Sequence, residues 1–129
     1  MTNINVEDII YRIYIKEIAF QKYQMISEPW RVAEKQNFVY YNGKNETMYK
    51  LADLSDINHY KIIHSFFIEK SVAHWDDKAE GILSIYIWSK NREDGEKEIL
   101  RLIKMDCEDT IEQAKDILAW INGKEAIDD

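Results

Sequence analysis

The chain opens on two superimposed periodicities. Val6, Ile9, Ile10, Ile13 and Phe20 recur at the three-to-four spacing of one helix face. Asn5 is a good cap before them, and Glu7 and Asp8 put acids where a helix dipole favours them. This pattern predicts a helix over 5–25. Tyr11, Ile15 and Ile18 occupy its other side, so such a helix is buried twice or faces a partner. Ile9, Tyr11, Ile13 and Ile15 also alternate, and a strand over 9–16 is the competing reading. Ser27-Glu28-Pro29-Trp30 reads as a second helix start that continues through Lys35, since proline is tolerated in a first helical turn.

Alternation then takes over. Segments 37–41 and 46–51 flank Asn42-Gly43-Lys44-Asn45, a strong hairpin signal. A four-residue loop there pairs Tyr40 with Thr47, Val39 with Met48 and Phe38 with Tyr49. Between 60 and 75, Tyr60, Ile62, His64, Phe66 and Ile68 alternate with polar residues and favour a strand, although Ser55 or Asp56 could cap a helix instead. Segment 76–81 reads as a charged turn, and 82–90, rich in Ile, Tyr and Trp, is the clearest strand. A turn over 91–95 and a strand over 96–105 follow, pairing back on 82–90. Asp109 caps a last helix, Glu112 closes its capping box, and Ile111, Ala114, Leu118 and Ile121 form its buried face. Gly123 stands where a left-handed C-cap is wanted, and 124–129 is a tail.

The expected fold is therefore α+β: an N-terminal helix, an antiparallel meander of four or five strands and a C-terminal helix, in one domain over 1–129. Helix–meander–helix order in an acidic chain is similar in architecture to type III secretion chaperones, which are acidic homodimers. That likeness rests on element order and implies nothing about single residues.

Composition narrows the function classes. With 46% apolar and 12% aromatic residues, the 129-residue chain can fill a core, and disorder is disfavoured. Its formal charge is −7, so no phosphate-binding surface is advertised and direct nucleic-acid binding is not expected. Residues 1–75 sum to zero, and 76–129 hold the entire excess of acids. A lone cysteine, acids where a secretory signal needs bases, no lipidation motif and no long apolar run lead to the expectation of a cytoplasmic protein without a membrane span.

Candidate chemistry is sparse. His59, His64 and His74 have spacings of five and ten, unlike the i, i+4 pair of a helical zinc site. On a straight strand His64 and His74 would be more than about 30 Å apart. His74-Trp75-Asp76-Asp77 joins an imidazole, an indole and two carboxylates at a strand end, and with His64 it is a candidate pocket or ion site. Cys107 lies among acids that raise a thiol's pKa, and no base is near it in sequence, so a nucleophile is disfavoured. Gly-rich phosphate loops and nucleophile elbows are absent, and no metal or cofactor is assigned.

What remains is surface. Tyr86 and Trp88 share one face of the 82–90 strand and Ile85 and Ile87 the other, so either both faces are covered or one is a contact. Asp106, Glu108, Asp109, Glu112 and Asp116 concentrate acids around the last helix start. Together they suggest a non-enzymatic inhibitor or immunity-type domain that occludes a protein with a basic surface, steered by the acids and anchored by Tyr86 and Trp88. A chaperone-like homodimer and a small-ligand binder or hydrolase with a Tyr/His/Asp-lined pocket are the competing expectations.

Overall fold

The computed structural model describes residues 4–56, 58–70, 73–75 and 82–127. The α+β expectation with antiparallel strands holds, and the N-terminal helix does not exist. Residues assigned to it form β1 (Ile9–Ala19) and the start of β2 (Lys22–Val39). These are followed by β3 (Asn45–Asp53), β4 (Tyr60–His64), a short helix α1 (Ser65–Glu69), β5 (His74–Trp75), a 3-10 turn (Ile82–Ser84), β6 (Ile85–Ser89) and a long helix α2 (Arg92–Ile127). The architectural likeness to helix–meander–helix chaperones lapses with the first helix.

Two-sided burial explains why the strand reading prevails. Ile10 and Ile13 are both fully buried, on opposite faces of β1, and a strand presents alternate residues to two faces. Ile10 joins Trp30, Val32, Tyr49, Leu51 and Trp88 in one core, capped by Ile4 and by Ile68 of α1. Ile13 joins Ile85, Ile87 and Ile99 of α2 in the other. Both apolar faces of β6 are therefore covered within the chain. Ser27-Glu28-Pro29-Trp30 starts no helix; it lies mid-β2, with Pro29 opposite Tyr11 and Trp30 opposite Ile10.

The sheet runs β4-β3-β2-β1-β6-β5, six strands rather than four or five, and each neighbouring pair is antiparallel. The Asn-Gly hairpin forms, with Gly43 at φ +79° in its loop. Its register differs from the expected one: Val39 faces Asn45 and Phe38 faces Glu46. Tyr40 closes the loop through its N–H to the Lys44 carbonyl, 2.9 Å, and so leaves the ladder. The expected 60–75 strand splits, because His64 ends β4 and accepts the Phe66 N–H at Nδ1, 3.1 Å, capping α1. The 76–81 turn lies outside the described residues.

The largest departure is α2. The expected strand over 96–105 and the later helix are one continuous helix of 36 residues. Asn91 caps it, its Oδ1 accepting the Asp94 N–H at 3.0 Å, and Glu93 and Asp94 supply acids to the first turn. Gly95 allows the helix to press on the sheet: a Cβ there would lie 2.3 Å from Ile13 Cδ1 and 2.7 Å from Ser89 Cβ. Ser27 donates its hydroxyl to Glu96, 2.9 Å, tying β2 to the same turn. Gly123 is no C-cap; the helix runs through it to Ile127.

Candidate functional site

Two surfaces stand out, and different parts of the fold build them. The first is the free portion of α2. Ile99 is fully buried and Leu102 and Ile103 pack beside it against the sheet. From Glu108 to Gly123 every residue is exposed, so the helix leaves the sheet after about three turns. Ile111 and Leu118, expected to be buried, are 55% and 58% exposed. The capping box at Asp109 and Glu112 caps nothing, because both lie inside the helix.

The free portion has two sides. Cys107, Ile111, Ala114, Leu118 and Ile121 follow one another at spacings of four, three, four and three and form one stripe. Glu108, Asp109, Glu112 and Asp116, at helix-neighbour spacings of three, four and seven, gather around the opposite side. Asp106 is half-buried on the flank that continues the Ile99 line, apart from the other four acids. Lys115 pairs with Glu112 at 3.8 Å, an exposed contact of small energetic weight.

The second surface is an aromatic and cationic cluster at the margin of the Trp88 core. Arg12 of β1 lies with its guanidinium 4.3 Å from the Tyr86 ring centroid and 4.9 Å from that of Tyr14. Glu28 of β2 holds both neighbours, accepting from Arg12 Nη1 at 3.3 Å and from the Tyr14 hydroxyl at 3.2 Å. The pairing of Arg12 with Glu28 and with Trp88 across the sheet fixes this geometry. Beside it opens a cleft of about 360 Å³, lined among others by Arg12, Tyr14, Lys16, Ser84 and Tyr86.

His74 stacks on Tyr86 with ring centroids 5.2 Å apart, and the Phe67 ring meets it edge-on at 4.4 Å. Burial and then the Lys61 charge hold its pKa below the ordinary 6.5, favouring the neutral ring. His64 lies on the other side of Phe67, 6.1 Å between centroids, and its Nε2 meets Glu46 at 3.0 Å. The straight-strand separation of these histidines is thus overturned, because α1 folds the chain back between them. Glu46 also accepts a 2.6 Å bond from Tyr40; that bond first, and His64 second, hold its carboxyl below the usual range.

The remaining sequence-derived residues are placed as follows. Trp88 is fully exposure-free, edge-to-face with Trp30 at 5.5 Å, and belongs to the core instead of a contact surface. Tyr86 is half-buried at the cleft. Trp75 stands opposite Ile85 in β5, whereas Asp76 and Asp77 lie outside the described residues. Cys107 is half-buried on the α2 stripe. Among the described residues, no three His, Cys, Asp or Glu side chains are grouped to hold a metal ion, and no helix is long and apolar enough to cross a membrane. Arg12, Tyr14 and Glu28 were not anticipated as a group; the strand alternation of Arg12 with Tyr14 was the available signal.

No protein-family model matches the chain, and no curated protein or solved structure matches it.

Proposed function

We propose that the chain is a non-enzymatic protein-binding domain that occludes a partner with a basic surface, and that the acidic side of α2 makes the contact. The observation that carries this reading is the placement of Glu108, Asp109, Glu112 and Asp116 on one exposed side of a helix that stands clear of its own sheet. Such a row concentrates negative potential where a partner can reach it, and accelerates encounter with a complementary surface. Asp106 and Trp88 drop out of the contact, the first for its flank and the second for its burial.

The test replaces Asp109, Glu112 and Asp116 together by Lys. Affinity capture from native-host cells with the original chain should retain a stoichiometric partner. Its association rate should fall steeply with salt, and the triple variant should lose most of that rate at low salt. Capture of the same partner at an unchanged rate by the triple variant would refute the reading.

A small-ligand role is the second reading, favoured by one observation: the Arg12 and Lys16 cations and the Tyr86 ring meet at an open cleft. That chemistry suits an anionic aromatic molecule. Thermal shifts of the purified chain with aromatic carboxylates, reduced by Lys16→Ala, would support it; a flat response would remove it.

A further inference from the structure

The acidic side of α2 leaves its opposite side unexplained. Cys107, Ile111, Ala114, Leu118 and Ile121 lie about a quarter turn round the helix from the Ile99 side that packs on the sheet, and after residue 107 no described part of the chain covers them. Their four-three-four-three spacing is a heptad seam, the pattern by which one helix packs on another. We propose that this seam pairs with the same seam of a second copy, as an antiparallel two-helix coil related by a two-fold axis.

The seam fits itself in that orientation. Setting Ile111 against Ala114 of the second copy also sets Cys107 against Leu118 and Lys104 against Ile121. Each pair then recurs with the roles exchanged, as a two-fold interface requires. A large residue faces a small one in the central layers, which lets the helices approach. Lys104 falls at the outer end of the seam, where its stem covers Ile121 and its ammonium reaches water.

Charge selects the same arrangement. Glu108 and Lys115 border one edge of the seam. In the antiparallel register Glu108 comes within about half a helical turn of Lys115 of the second copy, and the symmetry makes two such pairs. In a parallel register Lys104 would stack on Lys104 inside the seam, and Glu108 would gain no opposite charge. Asp109, Glu112 and Asp116 remain outward in the antiparallel pair, so it displays the acidic side twice. The pairing shares Glu108 with the proposed acidic contact and leaves Asp109, Glu112 and Asp116, the residues that test that contact, untouched, so each stands or falls by its own variants.

The experiment uses the full chain. Light scattering behind gel filtration, from about 1 to roughly 200 µM, should show a concentration-dependent dimer with micromolar dissociation. Leu118→Asp, at an exposed position, should remain folded by circular dichroism and be monomeric throughout. Glu108→Lys and Lys115→Glu should each weaken the dimer about five- to tenfold, and combining them should restore it to within about twofold. Orientation is read by oxidation. The original chain, with Cys107 alone, should form no covalent dimer, whereas Leu118→Cys should give one by joining residues 118 and 107 of opposite copies. A monomer at all concentrations, a dimer that survives Leu118→Asp, a double charge swap that fails to restore, or a disulfide through Cys107 in the original chain would each overturn the proposal.

Discussion

Each half of α2 carries an apolar stripe, and the two stripes meet opposite fates. In the first half the apolar side lies on β1 and β6, and Ile99 is sealed between Ile13, Ile85 and Ile87. In the second half the apolar stripe, turned about a quarter of the way round the helix, carries Ile111 and Leu118 into the open. An apolar stripe records that a surface is meant to be covered; it does not record by which molecule. The first half belongs to the fold, the second to whatever the fold meets.

Substitutions should separate the halves sharply. The largest loss is expected where the sheet is sandwiched most tightly: Trp88→Ala should cost about 3–5 kcal/mol in denaturant unfolding, and Ile99→Ala about 2–4 kcal/mol. A loss at Ile99 no greater than that at Leu118 would abolish the distinction. Gly95→Ala comes next. Its added methyl meets Ile13 and Ser89, so it should destabilise by about 1–3 kcal/mol although alanine is the better helix former. Leu118→Ala, measured at concentrations too low for association, should change stability by less than about 0.5 kcal/mol.

The smallest effect concerns pH. The folded state binds a proton at His74 less readily than the unfolded chain does, because burial and Lys61 disfavour the imidazolium. The resulting contribution is full above the ordinary value of 6.5 and is lost as pH falls below it, toward the lower folded-state value. Melting temperature should therefore drop between pH 7 and 5 in part through this group, and His74→Phe should remove that part of the drop. Glu46, also held low, titrates in a more acidic window and leaves the His74 term separable.

Much of the sheet was legible, as was the last helix from Asp109 onward; the first half of that helix and the strand nature of the N-terminal segment were not. The Asn42-Gly43 hairpin and the β6 strand follow from turn chemistry and β-branched alternation, which act locally. Ile9 to Ile15 satisfied both periods at once, and only the second core, brought up by the distant Ile99, decides for the strand. The same ambiguity misled in the other direction at 96–105. There Ile99, Leu102 and Ile103 carry the helical three-four spacing, and the Asn91 cap and the acids behind it marked the start. Among site residues, the acids were visible as composition, but their common side depended on knowing where the helix begins. The Arg12–Tyr86 contact joins residues 74 positions apart in sequence, on strands paired through Arg12 and Trp88, and no local pattern announces it.

That same pairing differs from the rest in the length of chain it closes. Every other ladder in the sheet joins strands that follow one another along the chain: β1 with β2, β2 with β3, β3 with β4, β5 with β6. Each closes a modest loop and needs no distant partner. Among the described residues, the β1–β6 ladder, four residue pairs from Tyr11 with Ser89 to Tyr14 with Tyr86, is the one that joins strands distant in sequence. The sheet is thus a string of hairpins joined by one distant closure. That closure carries β6 into place and brings α2, with its uncovered second half, onto the sheet.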